Sequence, residues 1–343
     1  MAILAGLQRN LVGATGGESF LFDIAAFAQY LVALPMFMLA DVVVGRRMNQ
    51  AIGYLRGSGL LDVEPQRRFD ATVKTLTRIR DVRFIYVVLF GLSYITPILW
   101  ATEELTNGVS TWHAPLRGGH ESLSWSGWWL AAVAMPLFQF VLYRWIWKYV
   151  TWIALLWTTA RLDLRLRAIH PDRMGGLAFV GLVQTYFAVL IFAYGCVTAA
   201  VAMQNFVVIG VAIPPSAWLM VGAFVIGAPT LFLAPLLVFT PRLIDLKTTA
   251  CRHFGQTSSI LAAAVDTTHG EPVHADGVGS FANAARSYEM ASRIRLVPFD
   301  LHSALQLVLA AVAPMLPIMS TIFHGHALSR ETLFEVVRRL VGG

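Results

Sequence analysis

The chain has 343 residues, 57% of them hydrophobic and 13% charged, with a mean hydropathy of +0.63. A soluble domain carries about a quarter of its residues as Asp, Glu, Lys and Arg. Half that share excludes an ordinary water-soluble fold and leaves most of the surface to lipid. Two cysteines, Cys196 in an apolar run and Cys251 in a basic one, exclude a disulfide-stapled secreted scaffold.

The opening MAILAGLQRN has too short an apolar patch, with Arg9 on the wrong flank, to read as a cleavable signal peptide. A helix needs about 20 apolar residues to cross a bilayer. Six segments meet that need, at 21–44, 84–101, 128–148, 177–203, 216–240 and 303–323. Open strand edges do not survive in lipid, so the expected class is all-α and polytopic. Between spans one and two, Phe69, Val73, Leu76, Ile79 and Val82 recur at steps of four and three, one stripe of an amphipathic helix. That helix has Pro65 in its first turn and room to run unbroken into span two. Its stripe calls for a partner, either in this chain or in a neighbouring subunit. After span three, Arg144 and Lys148 can snorkel to the interface, which makes 149–168 an interfacial or protruding helix. The segment 241–297 reads as two helical halves around a Gly- and His-containing connector at 266–280, ending before Pro298. At the C-terminus, Ser329 and Glu331 open an amphipathic helix over 329–341 that lies along the outer interface. No internal repeat is evident.

Lysine and arginine divide unevenly. The segments 46–83, 144–176 and 241–297 carry 21 of them and the opposite set carries 5. The positive-inside rule then puts the basic segments in the cytoplasm and both termini outside. The net charge of +6 is spent on topology rather than on a nucleic-acid surface. Tryptophans agree: Trp112, Trp125, Trp128 and Trp129 gather near one end of span three, and Trp145, Trp147, Trp152 and Trp157 near the other.

Polar groups in spans are costly and tend to be functional or paired. Asp23 and Asp41 bracket span one eighteen residues apart, five helical turns, which puts them on one face. They either line a water-filled path with an acid at each mouth, or are interfacial carboxylates paired with a nearby Arg or helix end. Arg144 suits an interface anchor or a gate. Gln139 and Gln184 suit interhelical hydrogen bonds, with Gln184 the better pore candidate of the two. Pro229 and Pro235 in span five, and Pro314 and Pro317 in span six, are expected kinks, whether for lining a cavity or for curved packing. Four histidines of the outer segments, His113, His120, His324 and His326, have no third ligand type at fixed spacing, so neither metal nor cofactor is expected. No HExxH, GxSxG, P-loop or GxGxxG occurs, which argues against an enzyme.

The run HPDRMGG, His170 to Gly176, stands where the chain turns into span four. Pro171 extends His170, Asp172 can cap the next helix, and Gly175 and Gly176 permit a tight turn. The same geometry allows His170, Asp172 and Arg173 to gate a cavity mouth. The stretches ARLDLRLRAIHPDRMGGLAFVG and SYEMASRIRLVPFDLHSALQLVLAAVAPMLPIM resemble a group of bacterial multi-pass inner-membrane proteins of uncharacterised function, marked by HPDRxGGL and by RLVPF before the last span. The resemblance covers most of spans three to six and implies a bacterial inner membrane, with no activity to carry over. The expected function is an oligomeric ion channel or channel-like transport protein, a homo-oligomer among membrane lipids with ions as its cargo. The alternatives are a membrane-bound sensor or scaffold that docks cytoplasmic partners and, after that, an intramembrane enzyme.

Overall fold

The computed structural model describes residues 20–104, 111–117, 120–205, 216–266 and 275–324. Among them six helical stretches are long and apolar enough to cross a membrane: Ile24–Gly57, Arg83–Thr102, Trp125–Arg161, Ala178–Met203, Trp218–Ala264 and Leu301–Ser320. The protein is all-α and polytopic. The expected helix at 329–341 lies outside the described residues, and so does His326 of the outer histidine group.

Every span is interrupted, and in most of them proline is the cause. Span one begins as Ile24–Phe27, widens into a π-helical turn at Ala28–Ala33 and continues as α1, Leu34–Gly57. After a break, α2 covers Val63–Arg80. Span two is α3, Arg83–Leu92, and α4, Ile95–Glu104, broken at Ser93–Tyr94. Span three repeats the plan of span one, with Trp125–Trp129, a π-helical turn at Leu130–Ala134 and then α5, Met135–Arg161. Pro35 and Pro136 each stand second in the helix after the π turn. A proline ring clashes with the carbonyl four residues back, and a widened turn relieves the clash. Span four is α6, Ala178–Thr185, and α7, Ala188–Met203.

Span five is α8, Ser216–Leu233, which holds Pro229 without breaking. It tightens to a 3-10 turn at Ala234–Phe239 around Pro235 and then runs on as α9, Thr240–Asp266. α10, Ala275–Ser292, packs back along α9 as a hairpin. Span six is α11, Leu301–Val312, a 3-10 turn at Ala313–Met315 holding Pro314, and α12, Leu316–His324, with Pro317 as its second residue.

The structure departs from the expected plan at two places. α2 does not run into span two: the helix ends at Arg80, and Val82 is extended with ψ 121°. The helix that follows Lys148 is the uninterrupted continuation of span three and stops at Arg161, leaving 162–168 outside it. The partner sought by the α2 stripe is this same chain. Phe69 is fully buried, Val73 and Leu76 pack on the main core beside α5, and Ile79 and Val82 stay exposed.

That core holds Phe37, Phe138, Trp145, Tyr149, Phe187 and Phe239. The surface carries many large apolar side chains, such as Leu31, Phe84, Leu219 and Ile226. In water such a surface drives aggregation; in a bilayer it is the favourable one.

Candidate functional site

A proline removes one N–H, and the carbonyl four residues earlier loses its donor. In lipid that carbonyl has no water to turn to. Pro235 frees the carbonyl of Leu231, and the Tyr149 hydroxyl donates to it at 2.8 Å. Next to it, Gln184 is fully buried and donates from Nε2 to the Phe232 carbonyl at 2.7 Å. Pro136 frees the carbonyl of Ala132, which accepts from the Tyr94 hydroxyl at 3.2 Å. Trp145 Nε1 donates to the Phe37 carbonyl at 2.9 Å. Gln184 therefore acts in the core as an interhelical tie.

Asp41 lies on α1, and Arg144 and Lys148 are one turn apart on α5. Lys148 Nζ is 2.5 Å from Asp41 Oδ1, and the Arg144 guanidinium pairs with the other carboxylate oxygen. All three side chains are about three-quarters buried, so each charge needs the others. The Trp145 ring lies 5.0 Å from the Lys148 ammonium, close enough for a cation–π contact. Beside this triad a cavity of about 280 Å³ opens between α1, α2, α3 and α5, walled by Arg80, Asp81, Tyr86, Arg144, Trp145 and Lys148. At its rim the Arg80 guanidinium hydrogen-bonds the Asp81 carboxylate at 2.9 and 3.2 Å and holds it below the usual carboxylate range. Arg144 and a further wall residue, Trp152, keep buried N–H groups, Nε and Nε1, with no acceptor among the described residues. Three cations face two carboxylates here, and the spare hydrogen-bonding capacity is of donors.

The HPDRMGG turn is a second construction. Asp172 Oδ1 accepts from the amides of Met174 at 2.9 Å and Gly176 at 3.2 Å, and Oδ2 from that of Ala178, the first residue of α6, at 3.1 Å. His170 Nδ1 lies 2.7 Å from Asp172 Oδ1 and donates to it when it carries the proton. Partial burial works to raise the Asp172 pKa; the three amides and His170 outweigh it and hold the carboxyl below the usual range. The backbone is left-handed at Arg173 (φ +56°), Gly175 (+66°) and Gly176 (+100°). The carbonyl of Arg173 accepts from the amide of Arg295 at 2.8 Å. At Gly181 a Cβ would lie 2.3 Å from the Pro298 carbonyl oxygen, so only glycine lets the two backbones meet there. HPDRMGG and the RIRLVPF segment, bonded through Arg173 and Arg295, 122 positions apart in sequence, are thus one structural unit.

A cavity of about 600 Å³ opens on this unit, lined by His170, Arg173, Arg295, Tyr54, Asp300 and Ser303 among others. Asp300 caps α11, taking the Ser303 amide at 2.9 Å and its hydroxyl at 2.5 Å, and these bonds hold its carboxyl below the usual range.

Of the residues expected to line a pore or gate, the structure brings Asp41 to Arg144, and His170 to Asp172 and Arg173. It places Gln184 in the core and Asp23 elsewhere. Asp23 caps the first turn of span one through the Ala26 amide at 2.8 Å, and its other oxygen accepts from Trp112 Nε1 at 3.0 Å. The π-helical turn at 28–33 lies between Asp23 and Asp41, and each carboxylate has partners of its own. Sequence reasoning passed over Lys148 as a triad member, along with Arg80, Trp145 and Tyr149. A signal was also visible in the sequence: Val32-Ala-Leu-Pro-Met-Phe37 and Val133-Ala-Met-Pro-Leu-Phe138 are near copies, and both straddle the end of a π turn. Phe37 and Phe138 meet with ring centroids 5.8 Å apart. Comparison with known protein families, curated proteins and solved structures returned no match, which leaves the geometry as the guide to chemistry.

Proposed function

We propose that this polytopic protein is a channel-like transport protein that works as a homo-oligomer in a bacterial inner membrane, with its basic segments cytoplasmic and both termini periplasmic. One observation carries the reading: the paired triad Asp41–Arg144–Lys148 stands inside spans one and three and borders a 280 Å³ cavity. Charged side chains within a bundle are costly, and they mark solute and ion paths. Arg80, Arg144 and Lys148 outnumber Asp41 and Asp81, which favours a small anion as the solute. Beyond the triad the bundle is sealed by Phe37, Phe138 and Trp145, each almost fully buried. The matched π–proline turns next to both phenylalanines supply a place for that seal to move. No catalytic role is proposed for any residue.

A second reading has its own observation. The α9–α10 hairpin extends past the span, with Ala250, Ala291 and Ile294 as a small core, and suits the docking of a partner protein. The oligomer is tested by the mass of the detergent-solubilised protein. A closed ring gives a fixed multiple of the 37.7 kDa chain. A monomer at all concentrations counts against the oligomeric path and leaves the scaffold reading.

A further inference from the structure

The 600 Å³ cavity between HPDRMGG and RIRLVPF is independent of the triad and has a different chemistry. Both of its acids are already occupied: Asp172 by three amides and His170, and Asp300 by Ser303. Arg173 and Arg295 are exposed there, their backbones are tied to each other, and no carboxylate among the described residues forms an ion pair with either guanidinium. Arg173 holds a left-handed backbone, a conformation that glycine adopts more easily, as Gly175 and Gly176 do beside it. A turn needed only for folding gains nothing from arginine at that position. Tyr54 adds a hydroxyl, and Phe179, Leu182 and Phe299 give the cavity an apolar wall.

We infer that this cavity binds a phosphate-bearing ligand, with Arg173 and Arg295 as its guanidinium clamp. Guanidinium matches phosphate oxygens in paired hydrogen bonds, which makes arginine the suited residue for this role. The phosphate can come from a lipid headgroup, whose chain would follow the apolar wall, or from a soluble phosphate.

The test uses the purified full chain in detergent, offered phosphatidylglycerol in mixed micelles and, separately, inorganic pyrophosphate, with binding read by native mass spectrometry and equilibrium dialysis. Binding of the lipid alone supports the lipid source, and binding of pyrophosphate supports a soluble one. In either arm Arg173→Gln and Arg295→Gln each weaken binding by about tenfold, as expected for loss of one charge-assisted contact. Arg68→Gln, which removes an exposed charge of α2, leaves binding unchanged. Arg173→Gly separates fold from ligand: it relieves the left-handed strain and keeps the melting temperature, yet loses binding. No binding of either probe at millimolar concentration, equal loss in Arg68→Gln, or full binding by Arg173→Gly overturns the proposal.

Discussion

The carboxylate of Asp172 accepts from three backbone N–H groups of one turn, work that a neutral amide cannot repeat. Asp172→Asn keeps the shape but turns an N–H₂ toward donors, and is expected to cost about 2 kcal/mol. Because its pKa in the fold is lowered, the Asp172 contribution is complete above the ordinary aspartate value and is lost as pH falls through the lowered one. Melting curves of the detergent-solubilised protein should therefore show the gap between wild type and Asp172→Asn close in strong acid and stay open at neutral pH. At the triad, Asp41→Asn leaves Arg144 and Lys148 facing each other one turn apart. That change is expected to cost about 2 kcal/mol, less than for a fully buried pair because a quarter of each side chain reaches solvent. Asp41→Asn with Lys148→Met should recover part of the loss in the same melting assay.

At the scale of the element, a broken span stays in the membrane because a neighbour supplies the donor that proline removes. Tyr149→Phe orphans the Leu231 carbonyl and is expected to cost about 1 kcal/mol. Pro235→Ala restores an N–H that can reach that carbonyl, so Tyr149→Phe should cost less in the Pro235→Ala background. A double-mutant cycle of melting temperatures reads this coupling, and strict additivity would remove the compensation from the account. Six spans were legible because a 20-residue apolar run leaves few other options. Their ends were not, since a helix can outrun its apolar run, as α1, α5 and α9 do by continuing to Gly57, Arg161 and Asp266. The breaks were half legible. Pro235, Pro314 and Pro317 were marked, Pro229 was marked where the helix runs on unbroken, and Pro35 and Pro136, in matching sextets, were not. The donors that answer them sit on other helices, as Tyr149 does 82 positions from Leu231, and only packing brings them together.

Among the described residues, two groups of charged side chains border two cavities lined by different residues. Sequence showed HPDRMGG as a turn with polar chemistry, and it showed Asp41 and Arg144 as candidates on separate spans. It did not show that Asp41 and Arg144 pair, or that HPDRMGG and RIRLVPF join, because both contacts depend on helix rotation and close backbone approach. The proposed path runs past the triad and through the Phe37–Phe138 seal. Its most direct test is planar-bilayer recording of the purified protein under a salt gradient, with voltage, pH and tension varied. The account predicts unitary currents whose reversal potential lies toward the anion and shifts toward the cation in Lys148→Glu. Silent bilayers under all those conditions, or a reversal potential that Lys148→Glu leaves unmoved, would contradict it.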